Sequence, residues 1–210
     1  MFEPQKIDRF LVDHWQKKPR FVAGGLGQHL PQLDPDELGW LAGQPDVESR
    51  LVFTDRTDKD IQYRAESGPF DESRLSQLPE RDWTLLVQDV EKHFPDFRRY
   101  FGEVDFVPDW RIDDLMVSCA APGGSVGPHV DNYDVFLCQG EGTREWKVGY
   151  DEQFEPDTEN ADLSLIKPYP IAGSHRAGPG DVLYLPPGIP HWGVATELCV
   201  TYSIGCRAPT

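Results

Sequence analysis

Apolar residues recur along this chain with a helical period near the N-terminus and with a strand period from about residue 110 onward. Helical spacing over 7–15 predicts a first helix, which Pro19 ends. Asp34 and Pro35 have the residue types of an N-cap and a first helical position, so they predict the start of a second short helix. The N-terminal part of the chain is therefore expected to supply helices.

Short strands separated by turns make up most of the remaining pattern. Glycine and proline number 19 each, and they divide the apolar stretches into segments of strand length. A helix over 90–100, interrupted near Pro95, is also predicted. Strands are predicted over 47–54, 82–90, 111–120, 129–138, 143–150, 182–187, 191–195 and 197–206. The expected fold is mainly β, of the sandwich or barrel class, with N-terminal helices and leading strands (1–105) packed on a barrel core (106–210).

The composition limits the possible partners. Of 210 residues, 20 are Lys or Arg and 36 are Asp or Glu, which gives a net charge of −16. This balance argues against direct binding to nucleic acid, which depends on basic residues, and favours a basic protein partner. The chain has no signal-like apolar segment and no apolar run of membrane-spanning length, so it is expected to be cytoplasmic and to contact no membrane. Its four cysteines form no Cys-x-x-Cys pair, which is typical of free buried thiols.

His129 and Asp131 provide the first chemical signal. Alternate residues of a strand face the same side, so these two side chains are expected on the face that Tyr133, Val135 and Leu137 continue. That face is apolar or aromatic and therefore points into the barrel. Because a buried carboxylate without a partner is costly, a metal cation is the expected partner, although a His-x-Asp pair alone is a weak signal.

A glycine- and proline-rich motif provides the second signal. The stretch 180–191 has the spacing of the second cupin motif, in which a tight turn precedes an inward-pointing histidine, here His191. The first cupin motif is present in part over 123–140, with Asp131 in place of its second histidine and an apolar residue in place of its glutamate. The closing asparagine of the second motif is Ala195. These departures reduce the usual cupin ligand set.

The remaining ligand set is His129, Asp131 and His191. Two histidines and one carboxylate form the facial triad that binds Fe(II) and leaves adjacent coordination positions open. Two of these positions suit a bidentate 2-oxo acid, and the third suits dioxygen. Zinc is the alternative metal, but a zinc hydrolase needs a general base and none is evident. The other alternative is that both histidines are ordinary residues of the barrel core.

Arg144 provides the third signal. Alternation along 143–150 places it on the same inward face as Trp146 and Val148. A buried arginine needs an anion and binds carboxylates through two hydrogen bonds, so the distal carboxylate of 2-oxoglutarate is a natural ligand. A salt bridge to an acidic residue of the protein is the alternative.

The segments HVDNYDVFLCQGEGTREWKVG and PGDVLYLPPGIPHWGVA resemble the JmjC-type ribosomal oxygenases, and among them the bacterial arginine hydroxylases of a large-subunit ribosomal protein. The resemblance is strongest over 112–206 and implies a double-stranded β-helix of the cupin or jelly-roll type. It implies Fe(II) at the three ligands named above, 2-oxoglutarate at Arg144, and Ser118 beside the co-substrate. The implied reaction is 3-hydroxylation of an arginine residue, in which 2-oxoglutarate and O2 also yield succinate and CO2.

An arginine substrate requires anionic or aromatic partners near the iron. Tyr133 and Asp134 are the predicted substrate-binding residues, and Asp113 and Asp114 are further candidates. Members of the family usually continue into a helical dimerisation region and a winged-helix-like domain, which this chain is expected to lack. The homodimer of the family is therefore left open for this chain.

Two alternatives to arginine hydroxylation follow from the same residues. Within the oxygenases, the chain is a histidyl hydroxylase or a JmjC demethylase that acts on another protein. In a different class, it is a non-redox cupin that binds a small acid through its metal. Oxidation of arginine in a ribosomal protein, with release of succinate, distinguishes the first hypothesis from both.

Overall fold

The structure, a computed structural model, describes residues 4–27, 29–57, 60–150, 153–158 and 163–207. Its strands are β1 (Arg20–Val22), β2 (Ser49–Arg56), β3 (Ile61–Ser67), β4 (Trp83–Val87), β5 (Ile112–Ala120), β6 (Asp134–Glu141), β7 (Arg144–Gly149), β8 (Ile171–Ala177), β9 (Val182–Leu185), β10 (His191–Ala195) and β11 (Cys199–Cys206). Its α-helices are α1 (Pro4–Asp13), α2 (Pro35–Ala42), α3 (Glu72–Leu75) and α4 (Val90–His93), with 3-10 segments at Pro95–Val104 and Asp109–Arg111.

The strands form two antiparallel sheets. The main sheet has eight strands in the order β1-β9-β6-β11-β5-β4-β2-β3, and the minor sheet has three in the order β10-β7-β8. This arrangement is a double-stranded β-helix, as the sequence predicts. The chain before residue 106 supplies strands as well as helices, because β4 pairs with β5 and β1 pairs with β9 in the main sheet. Within the described ranges, no helix combines the length and apolar character that crossing a membrane requires.

Alternation divides the main sheet into a core face and a cavity face. On β5, Leu115 and Val117 join the large hydrophobic core, which also contains residues of α1, α2 and the first 3-10 segment. Asp114, Met116 and Ser118 of the same strand line a cavity between the sheets. The helices therefore cover one face of the main sheet and leave the other face to the minor sheet and the cavity.

The predicted helices are found close to their expected positions. The pattern over 7–15 corresponds to α1, and Asp34 caps α2 in a capping box in which the Glu37 side chain accepts a hydrogen bond from the Asp34 amide. The interruption near Pro95 separates α4 from the first 3-10 segment. The four cysteines are buried free thiols.

One strand begins later than predicted. The strand expected over 129–138 begins at Asp134, and His129 makes only isolated bridges, to Leu165 and His191. Residues 130–133 form a loop instead. Alternation consequently applies from Asp134 onward. The strands β1, β3 and β8 were not predicted, and in β3 and β8 exposed positions are numerous, which weakens an apolar alternation signal. The sequence over 151–165 is acidic and predicts a long loop, and part of it lies outside the described residues.

Candidate metal centre

Three side chains converge at one end of the cavity. The nitrogen and oxygen ligand atoms of His129, Asp131 and His191 all lie within 4.8 Å of one another. Asp131 places one carboxylate oxygen 3.9 Å from Nε2 of His129 and the other 3.5 Å from Nε2 of His191. The two imidazole ring centroids are 4.2 Å apart. The three residues singled out in the sequence are therefore brought together with their donor atoms facing a common point.

Turns on both sides of the site hold these ligands. His129 and His191 exchange backbone hydrogen bonds, each of 3.0 Å from amide nitrogen to carbonyl oxygen. The amide of Gly188 donates to the carbonyl of Asp131 at 2.9 Å, so the turn between β9 and β10 supports the loop that carries the carboxylate. Gly188 has a φ of +82°, which is readily adopted by glycine and explains its place in the motif.

The histidine tautomers are fixed by backbone acceptors. Nδ1 of His129 lies 3.0 Å from the carbonyl oxygen of Gly127, and Nδ1 of His191 lies 3.0 Å from that of Ile189. Because a carbonyl oxygen only accepts, each Nδ1 carries a hydrogen, and in the neutral form of each ring the lone pair is therefore on Nε2. Burial, together with the neighbouring His129, lowers the pKa of His191 to about 4. A neutral imidazole with a free Nε2 is the form that binds metal ions.

The cavity continues from these ligands towards both sheets and has a volume of about 240 Å³. Val135 and Leu137 of β6 and Trp146 of β7 provide apolar wall near the ligands. Glu48, which precedes β2, and Gln88, which follows β4, also line the cavity. The sequence did not identify these two residues, because β2 and β4 approach β5 only through pairing between distant segments.

Arg144 also lines the cavity. It is only 5% exposed, and within the part of the chain that the structure describes no carboxylate lies in ion-pair range of it. Its Nη2 lies 3.7 Å from the Cys199 sulfur, while its buried Nε has no hydrogen-bond partner. The guanidinium carbon is 5.6 Å from the centroid of the Trp146 ring. A buried cation with an unused donor suits an incoming carboxylate, and the geometry gives no support to the alternative of an internal salt bridge.

Ser118 and Tyr133 also lie on the cavity. Ser118 is 2% exposed and pairs in the sheet with Thr201 of β11, which directs its side chain to the same face as Met116. Tyr133 is partly exposed and lines the cavity beside Asp131. The structure therefore brings both side chains to the cavity.

Asp134 does not lie on the cavity, and its predicted place beside a substrate is corrected here. It is fully buried on the core face, where it accepts hydrogen bonds from Tyr184, Gln16 and Arg111. Its register explains the difference, because Val135 and Leu137 of β6 line the cavity and Asp134 alternates with them. Its carboxylate instead ties the beginning of β6 to the N-terminal segment.

Asp114 is the acidic candidate that does lie on the cavity, which Tyr133 also lines. Burial and the nearby carboxylates of Asp89, Asp113 and Glu91 raise the pKa of Asp114 to about 6. Asp113 faces the other way and pairs with Arg207. Of the four substrate candidates from sequence, the structure therefore brings only Asp114 and Tyr133 to the cavity.

Comparison with known proteins finds a matching domain family and two similar curated proteins. The family model described as the JmjC domain matches residues 100–210. The ribosomal protein uL16 3-hydroxylase of Escherichia coli (strain K12) is 43% identical over 203 residues, which cover 95% of this chain and 52% of that protein. A probable ribosomal oxygenase of Haemophilus influenzae is 39% identical over 204 residues, which cover 95% of this chain and 49% of the relative.

A solved structure has the same architecture. The structure of YcfD, a ribosomal oxygenase from Escherichia coli in complex with cobalt and 2-oxoglutarate, matches with a TM-score of 0.85 at 40% identity. The match covers 97% of this chain and 52% of that one. The chain spans about half the length of the curated relatives it matches.

Proposed function

This chain belongs to the JmjC domain family, and on that basis we propose that it is an Fe(II)- and 2-oxoglutarate-dependent oxygenase that 3-hydroxylates an arginine residue of a large-subunit ribosomal protein. One observation carries the proposal. Two histidines, each with its Nδ1 hydrogen-bonded to a backbone carbonyl, and one carboxylate converge in a cavity that is also lined by a buried arginine with no carboxylate partner among the described residues.

The donor set fits Fe(II). His129 and His191 each offer an Nε2 lone pair, and Asp131 offers the single negative charge between them. This set would hold the ion from one side and leave adjacent positions open to ligands from the cavity. When bound, Fe(II) supplies the means to activate dioxygen. The protein residues hold the ion, shape the cavity and exclude water from it.

The co-substrate has a matching site. The 2-oxo group and its neighbouring carboxylate would face the metal ligands, and the distal carboxylate would pair with Arg144. The unused Nε of Arg144 gives the second donor of a bidentate contact, and the buried Ser118 hydroxyl lies on the same cavity. Trp146 lies between these ends, with its ring centroid 6.0 Å from that of His191 and 5.6 Å from the Arg144 guanidinium carbon. Its face suits the methylene carbons of the co-substrate.

Asp114 and Tyr133 suit the side chain of an arginine substrate. A guanidinium forms a charge-assisted pair with a carboxylate and packs against an aromatic ring. The raised pKa of Asp114 reflects acidic neighbours and burial, and a cation beside it would restore its charged form. The net charge of −16 agrees with a basic polypeptide as the partner.

The test is an incubation with a uL16 peptide, Fe(II), ascorbate and 2-oxoglutarate. We expect the peptide to gain the mass of one oxygen atom, located on the β-carbon of an arginine by fragmentation, with one succinate formed for each oxidised residue. Oxidation of histidine, or loss of a methyl group from another protein, would assign the site to a different oxygenase. Tight metal binding without conversion of 2-oxoglutarate would instead support a non-redox cupin.

A further inference from the structure

A single buried hydroxyl contacts both histidine-bearing segments. Ser125 lies in the glycine-rich turn after β5 and is 1% exposed. Its Oγ accepts one hydrogen bond from the Gly127 amide and another from the Trp192 indole Nε1, each at 3.0 Å. Neither donor is a metal ligand, but each lies next to the segment that positions one.

The first contact leads to His129. The Gly127 carbonyl accepts the Nδ1 hydrogen of His129 and so fixes its tautomer and the direction of its Nε2. Gly127 has a φ of +86°, and a Cβ there would lie 2.7 Å from a Leu165 methyl carbon. The hydrogen bond from its amide to Ser125 therefore holds a peptide unit whose conformation and packing both require glycine.

The second contact leads to His191. Trp192 follows His191 in β10, and its indole points to the opposite side of the strand from the imidazole. Because the indole Nε1 is bound to Ser125, the strand position that directs His191 inward is tied to the turn that carries His129. Backbone hydrogen bonds between His129 and His191 link the same two segments, and the Ser125 hydroxyl adds a link through side chains.

We propose that Ser125 is a positioning residue for the metal centre. Its single hydroxyl oxygen accepts hydrogen bonds from both Gly127 and Trp192 and so holds the two histidine-bearing segments together. The inference rests on the proposed function, since it concerns the affinity of the same site for a divalent metal. Outer hydrogen-bond partners of metal ligands typically change metal affinity by about 10–100-fold when they are removed. Ser125 acts through the neighbours of the ligands, so we expect the lower part of that range.

The test is a titration of the metal-free 210-residue protein with Co(II), followed by visible absorption. Ser125→Ala should weaken Co(II) binding by about tenfold. Trp192→Phe, which keeps the ring and removes one donor, should weaken it by about threefold, as expected for one net hydrogen bond. Because both contacts meet at one oxygen, the double variant should bind no more weakly than Ser125→Ala alone.

Tyr202→Phe is the matched control. The buried Tyr202 hydroxyl also accepts a hydrogen bond from a backbone amide, that of Leu33, at 2.7 Å. Tyr202 belongs to the large core on the other face of the sheet, away from the metal ligands. This variant should lower the melting temperature and leave the Kd for Co(II) unchanged. If Ser125→Ala is too unstable to titrate, Trp192→Phe alone provides the measurement.

Three results would overturn the inference. The first is a Kd for Co(II) that stays at the wild-type value in Ser125→Ala or Trp192→Phe while the melting temperature falls as in Tyr202→Phe. The hydroxyl would then have a structural role only. The second is that the losses of Co(II) affinity in the two single variants add fully in the double variant, which would show that the two contacts act independently. The third is a wild-type protein that binds no Co(II), which would refute both the proposed function and the positioning role of Ser125. The first two results would leave the proposed function intact.

Discussion

Buried charged residues on and near the cavity differ in whether an opposite charge within the protein balances them. Arg144 is a buried cation without a carboxylate partner among the described residues, whereas the buried Asp134 is matched by Arg111 and two further donors. Burial of an unbalanced charge is costly, so it is retained where a ligand of opposite charge binds. The contrast distinguishes Arg144 on β7, which is suited to bind a ligand, from Asp134 on β6, which has a structural role.

Replacement of Arg144 should therefore act on the co-substrate. We expect Arg144→Ala to raise the KM for 2-oxoglutarate by roughly a hundredfold, because loss of one partner of a buried charge pair costs about 2–5 kcal/mol. Arg144→Lys should recover only part of this effect, since an ammonium keeps the charge but not the two-pronged geometry. Initial rates at varied 2-oxoglutarate measure both. An unchanged KM in the alanine variant would return Arg144 to a structural role.

The carboxyl of Asp114 predicts a dependence of substrate binding on pH. Burial, together with the carboxylates of Asp89, Asp113 and Glu91, raises the pKa of Asp114 to about 6, while Lys92 interacts with it as a positive charge. A carboxyl with a raised pKa is protonated below that pH and cannot pair with a guanidinium. We therefore expect the KM for the peptide to increase as the pH falls through 6.

Asp114→Asn is the control for that profile. It should show a high KM for the peptide at every pH, with no inflection near 6, while the KM for 2-oxoglutarate stays as in the wild-type protein. An inflection of the same size in the asparagine variant would assign the pH dependence to another group.

At the scale of elements, the minor sheet controls the spacing between the metal ligands and Arg144. Gly193 of β10 pairs with Trp146 of β7, and a Cβ on Gly193 would lie 2.6 Å from the indole ring. Glycine at this position therefore lets the ring lie against the strand that begins with His191. The indole is 4% exposed and has little room to move.

Gly193→Ala should force β10 and β7 apart. We expect it to lower the free energy of unfolding by about 1–3 kcal/mol, the usual cost of overpacking, and to weaken 2-oxoglutarate binding as well. Gly173→Ala on β8 of the same sheet is the matched control, because its Cβ would meet its nearest neighbour at 3.6 Å. Denaturant unfolding and equilibrium binding provide the measurements. Equal behaviour of the two variants would contradict this account of the sheet.

The elements also explain how far the sequence predicted the site. Two motifs with fixed turns were sufficient to identify His129, Asp131 and His191 as neighbours in the fold. Alternation along β7 correctly predicted that Arg144 points inward. Asp134 was a substrate candidate because of its charge and its place near the ligands, whereas alternation puts it on the face opposite Val135 and Leu137, where the structure has it. The contacts of Ser125 carry no sequence signal, since they depend on how a turn packs against a strand more than sixty residues later.

For the whole molecule, the acidic balance bears on how fast a substrate arrives. A net charge of −16 attracts a basic polypeptide at long range, and salt screens this attraction over about 8 Å at physiological ionic strength. We expect the association rate with a basic uL16 peptide to fall steeply as salt is added, with little change in the dissociation rate. Stopped-flow measurements at several salt concentrations test this, and an association rate independent of salt would refute electrostatic steering.

The origin of the transferred oxygen tests the central claim most directly. In the proposed reaction, one atom of dioxygen enters the arginine and the other enters succinate as CO2 leaves 2-oxoglutarate. With isotopically heavy dioxygen in ordinary water, we predict that the hydroxylated arginine carries one heavy atom and that succinate carries the other. A product whose new oxygen comes from water, or a peptide that stays unmodified while 2-oxoglutarate is intact, would contradict the assignment of this cavity as an oxygenase site.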